Sequence, residues 1–286
     1  MIFEAAKEAL LDGAKLLPFL FITYLAMEYL EHKTSQKTGL LLQKSGRWGF
    51  VFGGVFGVVP QCGFSAAASN LYAGRIITLG TLLAVFLSTS DEMLPILISE
   101  HAALSLIVKI LLLKAVVGMT AGALADLWMR KRTGNSKEEL RIEQICDHQH
   151  CHCSEENIFR SALCHTVQIF AFILLVSFLL NLLIEWIGEA AIASFLSSKP
   201  VLGPALAGIV GLIPNCASSV VLTQLYLEGV LGAGAMISGL LSGTGVGLLV
   251  LFRVNDDLKE NVKITLLLYA VGVLAGIVME LLGIAF

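Results

Sequence analysis

Apolar residues fall into long runs separated by short polar breaks, at 16–30, 76–98, 103–125, 166–184 and 230–252. Runs near 20 residues are long enough for a helix to cross a bilayer. The pattern also repeats. Residues 11–127 align without a gap on 165–281, at an offset of 216 − 62 = 154 positions. Gly57-Val58-Val59-Pro60-Gln61-Cys62 answers Gly211-Leu212-Ile213-Pro214-Asn215-Cys216, and Tyr72/Tyr226, Gly80/Gly234, Ser88/Ser242, Gly118/Gly272 and Gly122/Gly276 keep step. Two copies of a hydrophobic unit joined by a polar insert are the pattern of a membrane transporter with its binding site between the repeats.

This pattern divides the chain into a first transmembrane repeat, 1–133, a His/Cys-rich tether, 134–157, and a second transmembrane repeat, 158–286. The first repeat has three clear spans, 9–30, 75–98 and 103–128, and a peculiar segment, 47–73, centred on Pro60-Gln61-Cys62-Gly63. That segment reads either as one broken helix or as a hairpin of two helices of about 13 residues. Such halves reach only about 20 Å, less than the hydrocarbon core. Charge arbitrates, because cytoplasmic loops collect Lys and Arg. A single crossing would put the Lys33/Lys37/Lys44/Arg47 loop opposite Arg130-Lys131-Arg132. An entry and return puts both clusters on one side with Arg75, Lys137, Arg141, Arg160, Arg253, Lys259 and Lys263. Of the 19 Lys and Arg, that leaves only Lys7, Lys15, Lys109, Lys114 and Lys199 elsewhere. The expected fold is therefore an all-α polytopic membrane protein of two inverted repeats. Each repeat has five helical segments, one pair of them forming a broken or re-entrant helical hairpin. Both termini are expected outside the plasma (inner) membrane and the tether in the cytoplasm.

Composition sharpens the exclusions. With 56% hydrophobic and 14% charged residues and a mean hydropathy of +0.82, the chain has too little polar residue to cover a soluble surface. The first 15 residues carry Glu4, Glu8 and Asp12 instead of a basic leader, so no cleavable signal is expected. No phosphate-binding Gly-x-x-x-x-Gly-Lys-Ser/Thr loop occurs, so transport would be secondary or channel-like.

Candidate chemistry gathers at the repeated tips. Proline frees a backbone carbonyl, and broken backbone at membrane depth is tolerated where it lines a polar cavity. The Gln61 and Asn215 oxygens, the Cys62 and Cys216 sulfurs and the freed carbonyls could meet a cation. The segments Ser65–Asn70 and Ser219–Gln224 follow as helix starts that could face an anion. Asp91 and Glu92 sit inside an apolar span that Pro95 interrupts, where a carboxylate marks an ion or proton path by default. Lys114, whose mate is Leu268, is a counter-charge candidate for either acid and, with them, for coupling. Asp126/Glu280 and Glu31/Glu185 recur at span ends and read as solvated termini. In the tether, Cys146, His148, His150, Cys151, His152 and Cys153 could collect or sense zinc, copper or cadmium, with their thiols reduced in the cytosol.

The doubled Val-Pro-Gln-Cys-Gly-Phe-Ser (59–65) and Ile-Pro-Asn-Cys-Ala-Ser-Ser (213–219), Ser-Thr-Ser-Asp-Glu (88–92) and the His/Cys-rich loop resemble one family over nearly the whole chain. It is the ten-span heavy-metal exporters, bacterial proteins described as arsenic-efflux-like or manganese transporters. The resemblance implies efflux of a metal or metalloid. The leading expectation is a secondary exporter of a divalent ion such as manganese, bound midway between the tips and neutralised by Asp91 and Glu92. Oxygen donors suit manganese, and the two cysteines suit a softer ion. Alternatives are an arsenical or metalloid permease, an intramembrane metal-dependent enzyme, and a metal sensor acting through the tether. The enzyme reading is disfavoured because no His accompanies the carboxylates within the spans. No cofactor is expected beyond the transported metal and an ion on the tether. The expected partners are a metal or metalloid ion and the lipid bilayer, with a homo-oligomer as an option and no nucleic acid.

Overall fold

In the computed structural model the described residues are 48–59, 62–90, 93–133 and 202–284, with single positions between 17 and 25 and between 159 and 179. Among them every regular element is a helix. In chain order these are α1 (Gly49–Gly57), α2 (Cys62–Ala73), α3 (Leu79–Ser88), α4 (Met93–Ser99) and α5 (Leu104–Thr133), then α6 (Leu202–Gly211), α7 (Cys216–Leu227), α8 (Ala233–Ser242), α9 (Gly247–Val254) and α10 (Leu258–Leu281). The repeat survives in the helix bounds. The starts of α7, α8, α9 and α10 follow those of α2, α3, α4 and α5 at the same 154-residue offset as Cys216 and Cys62. The helices after each tip start at Cys62 and Cys216, three residues earlier than the expected Ser65 and Ser219.

Local chemistry sets the boundaries. Thr78 caps α3, its hydroxyl accepting from the Thr81 N–H at 3.2 Å. Asp126, on α5, accepts from the Gly80 N–H and the Thr78 hydroxyl, both at 2.9 Å. A carboxylate there meets the positive end of the helix dipole. Asp126 is thus a buried cap and not a solvated terminus. Its mate Glu280 reaches Gly232 and Gly234 at the start of α8. Helices α2 and α7 stop in matching turns. The N–H groups of Ile76 and Ile77 return to Leu71 O, and those of Val230 and Leu231 return to Leu225 O. The left-handed residue of this closing turn is Arg75 (φ 58) in one half and Gly229 (φ 73) in the other.

Helix packing gives the path of the chain. Gly49 lies against Thr81 and Gly57 against Ser88, so α1 runs in the same direction as α3. The return turn at Leu71 places the end of α2 beside the start of α3, so α2 runs back antiparallel to α1. In the second half the Ser238 hydroxyl donates to Pro204 O at 2.6 Å and Gly243 lies near Gly211, giving α6 and α8 the same relation. The long helices α5 and α10 run against α3 and α8. A Cβ on Gly80 would come within 2.2 Å of Gly122 O, and one on Gly122 within 2.4 Å of Gly80 O. Gly234 and Gly276 repeat this reciprocal contact at 2.3 and 2.5 Å. Small residues at both positions let the two backbones touch, which drives helix association where lipid is as apolar as the side chains.

Four stretches among the described residues are long and apolar enough to cross a membrane: Leu79–Ser99, Leu104–Met129, Ala233–Val254 and Leu258–Leu281. Two of them are interrupted. The spans of α3–α4 and α8–α9 are 75% and 83% buried, against 28% for each continuous span. The broken spans form the core and the straight ones the lipid-facing rim. The interruption in the first half comes before Pro95, not at it. Thr89 closes α3 and Met93 opens α4, so Pro95 sits in a first turn, where its missing N–H costs no helical bond.

Contacts between the halves are crossed. Helix α2 packs on α9, α7 on α4, and α3 on α8. The Ser69 hydroxyl meets Gly247 O near the start of α9, and Tyr72 meets Glu260 just past its end, so α2 and α9 run in the same direction. Replacing Gly122 or Gly276 by Leu should destabilise the protein by about 1–3 kcal/mol through overpacking. Unfolding in detergent micelles, with the lipid-facing Leu124→Ala as reference, measures this; parity with the reference would show that the close approach does not hold the pair.

Candidate functional site

Each broken span leaves backbone carbonyls past the last turn of a half-helix, and the donors that reach them define the site. In α8 the ladder ends with the Gly243 N–H on Gly239 O at 2.9 Å. The next carbonyl, Leu240 O, accepts from Lys114 Nζ at 2.6 Å. Lys114 belongs to α5 of the first repeat and is 1% exposed. An ammonium at a helix C-terminus faces the negative end of the dipole, so this contact both satisfies a carbonyl and joins the repeats. The partner of Lys114 in the described residues is therefore a helix end. Beyond the break, Gly245 is left-handed (φ 52), and Gly247 O accepts from the Ser69 hydroxyl at 2.7 Å.

The break between α3 and α4 is held by hydroxyls. The side chain of Ser88 donates to Ala84 O and that of Thr89 to Val85 O, both at 2.7 Å. The Ser90 hydroxyl crosses to Val58 O at 2.7 Å and so ties the break to the first hairpin tip. At the second tip, the Asn215 N–H bends back to Ile213 O at 2.7 Å, and Ser218 donates to Asn215 O at 2.8 Å. Asn215 is the N-cap residue of α7 and is 3% exposed, yet its carboxamide makes no capping bond to the helix.

The sequence-predicted residues divide into two groups. Ser65 and Asn70 are buried on α2, with Ser65 against Gly247. Asn215 and Ser219 are buried at the start of α7, and Gln224 is half-buried further along it. Lys114 joins them through α8. Gln61, Asp91, Glu92 and the tether ligands Cys146, His148, His150, Cys151, His152 and Cys153 lie outside the described residues, as do the side chains of Cys62 and Cys216. Among the described residues no three His, Cys, Asp or Glu side chains gather as a metal-binding group. The donors among the described side chains and backbone are carbonyls, hydroxyls and carboxamides, oxygens of the kind that suit hard cations.

Sequence reasoning missed Ser69, Ser90 and the Glu260 cluster. Glu260 accepts from both terminal nitrogens of Arg75 at 2.9 and 2.8 Å, from the Tyr72 hydroxyl at 2.6 Å and from Asn255 Nδ2 at 3.1 Å. A signal was available: under the repeat offset Arg75 falls on Gly229, and Glu260 on Leu106.

A family model described as "Putative, 10TM heavy-metal exporter" matches residues 2–184 and again 135–255. No curated protein and no solved structure matches the chain.

If Lys114 closes the α8 end, Lys114→Leu, which installs the residue found at 268, should lower the unfolding free energy by about 1–3 kcal/mol, the cost of an unsatisfied buried acceptor. Lys109→Met, at an exposed position of the same helix, should be neutral. Thermal and denaturant unfolding of both variants in detergent gives the comparison, and a neutral Lys114→Leu would remove the carbonyl from its role.

Proposed function

The chain belongs to the ten-transmembrane heavy-metal exporter family, and on that premise we propose that it is a secondary transporter moving a divalent heavy-metal ion outward by alternating access. It is a multi-pass membrane protein with broken spans at its centre. The observation that carries the reading is the crossed packing. The half-helix after each hairpin tip lies on the broken span of the other repeat, α2 on α9 and α7 on α4. Half-helices and unwound backbone at a repeat interface are where transporters bind ions.

An inverted relation of the repeats is supported by helix direction. Helix α2 runs against α1 and α3 but along α9. Helix α9 continues the direction of α8, since Gly234, Ser242 and then the end of α9 pass successively along α10 towards its start. On this reading α3 and α8 are antiparallel, each hairpin is re-entrant, and the two tips enter from opposite faces. The substrate then sits between Gln61, Cys62 and Asn215, Cys216, with Asp91 and Glu92 balancing its charge. The oxygen-rich donors around the breaks favour manganese or a similar hard ion over an arsenical.

Two measurements test this. Single cysteines at 40 and 135 should label only from the cytoplasm and one at 198 only from outside; labelling of 40 and 135 from opposite faces would exclude inversion. The second measurement is metal content in a metal-sensitive bacterial host. Expression should lower cell manganese, and Asp91→Asn or Glu92→Gln should abolish that export with the protein still in the membrane. Asn215→Leu should cost about 1–3 kcal/mol of ion binding, and Cys62→Ser and Cys216→Ser less. An arsenical substrate would reverse that ranking.

A further inference from the structure

At one face of the molecule a single carboxylate gathers an unusual number of donors. Glu260, in the first turn of α10, takes a bidentate pair from Arg75, a hydroxyl from Tyr72 and an amide from Asn255. Asn255 is itself fixed, donating to Asn261 Oδ1 at 2.6 Å, and Asn261 Nδ2 donates back to Asn255 O at 2.9 Å. The Arg75 guanidinium also lies 5.2 Å over the Tyr72 ring. Arg75 and Glu260 are 10% and 23% exposed, so the pair is screened far less than an open surface pair. Bidentate geometry and extra neutral donors set it apart from the surface ion pairs that contribute little.

The contact joins the two repeats. Tyr72 and Arg75 end the return arm of the first hairpin, and Asn255, Glu260 and Asn261 form the corner between α9 and α10 of the second repeat. The seam they close is the one between α2 and α9. The symmetry-related seam, between α7 and α4, has no such chemistry in its sequence. There Tyr72 recurs as Tyr226, but Arg75 becomes Gly229, Glu260 becomes Leu106, Asn255 becomes His101 and Asn261 becomes Ile107, so the ion pair and its amides are lost. Packing is duplicated between the halves, but this polar cluster is not.

Backbone strain adds an independent argument. Arg75 occupies a left-handed conformation (φ 58) that is unfavourable for an L-residue, at the turn where the other repeat uses Gly229. The turn itself would be served better by glycine. Arginine is there for its side chain, and that side chain reaches across the repeat boundary.

We propose that the Arg75–Glu260 pair is a one-sided latch: it holds the α2–α9 seam shut on this face, and its release opens the path between the repeats while the α7–α4 seam stays closed. This inference rests on the alternating-access reading for its purpose, but its test does not require transport. Amide hydrogen exchange of the full chain in nanodiscs is compared for Arg75→Gly, Glu260→Gln and the wild type. Arg75→Gly relieves the turn, so the fold should be retained. Both variants should exchange about tenfold faster or more over 65–77 and 247–257, the response to losing charge-assisted hydrogen bonds. Exchange over 216–227 should be unchanged or slower. Tyr72→Phe should give a smaller increase, and the double exchange Arg75→Glu with Glu260→Arg should restore protection. Unchanged exchange of α2 in both single variants would overturn the latch, and so would equal acceleration of both seams, which would indicate general destabilisation. One-sided opening in a protein that moves no metal would leave the latch standing and remove the exporter reading.

Discussion

Hydrocarbon supplies no hydrogen bonds, so each backbone N–H and C=O at membrane depth must find a partner inside the protein or carry a penalty of several kcal/mol. Four places in this chain challenge that rule: two hairpin tips and two broken spans. At three places near these breaks a carbonyl takes a donor from another element. Lys114 supplies it to Leu240 O, Ser69 to Gly247 O and Ser90 to Val58 O. Two of these three bonds cross the repeat boundary. The broken span of the second repeat therefore draws on donors of the first, within an architecture in which hairpins reach across, broken spans lie buried, and the continuous helices α5 and α10 are the more exposed.

Comparison of the two halves separates what serves packing from what serves polarity. The reciprocal contacts of Gly80 with Gly122 and of Gly234 with Gly276 are matched, as are the acids Asp126 and Glu280 at the starts of α3 and α8. These features need only a helix pair and serve both repeats equally. The charged residues that reach across between the repeats do not recur. Lys114 faces Leu268, and Arg75 and Glu260 face Gly229 and Leu106. A duplicated frame gives two related openings; charges placed in one copy make those openings unequal. Such inequality lets the two openings differ in how readily they open, while the gradients set the net direction of any transport.

Much of the frame was legible in the sequence because the repeat offset is rigid. An alignment without gaps carries every helix start from one half to the other, and the matched starts of α2/α7 through α5/α10 follow from it. Boundaries set by tertiary partners were less legible. Pro95 drew attention as the interruption, yet proline is harmless in a first turn, and the chain breaks earlier, after Ser88. Asp126 stood at a span end like any solvated acid, because nothing local reveals that the start of α3 lies beside it. The contact of Lys114 with Leu240 O was illegible for a deeper reason. A search among side chains for its counter-charge overlooks Leu240 O, since a carbonyl is present at every residue and becomes special only where a helix stops. Ser65, Asn70, Asn215 and Ser219 are buried, while Gln61, Asp91 and Glu92 fall outside the described residues.

Lys114 also constrains what a cation path through this interface would require. A buried ammonium repels a divalent ion by about 4 kcal/mol at a separation of roughly 8 Å and an effective dielectric near 20. Hydroxyls and carbonyls solvate an ion but do not cancel that repulsion. Among the described residues no cluster of acids stands in the core to do so. In sequence, Asp91 and Glu92 follow immediately after the hydroxyl-bearing residues Ser88, Thr89 and Ser90, and on the proposed reading they supply the balance. On the proposed reading the two breaks then have opposite characters. One is closed by a cation from across the interface, and the other carries two anions. A divalent ion entering between them would meet two carboxylates and one ammonium, a site with one net negative charge when empty, which draws a cation out of water, and one net positive charge when occupied.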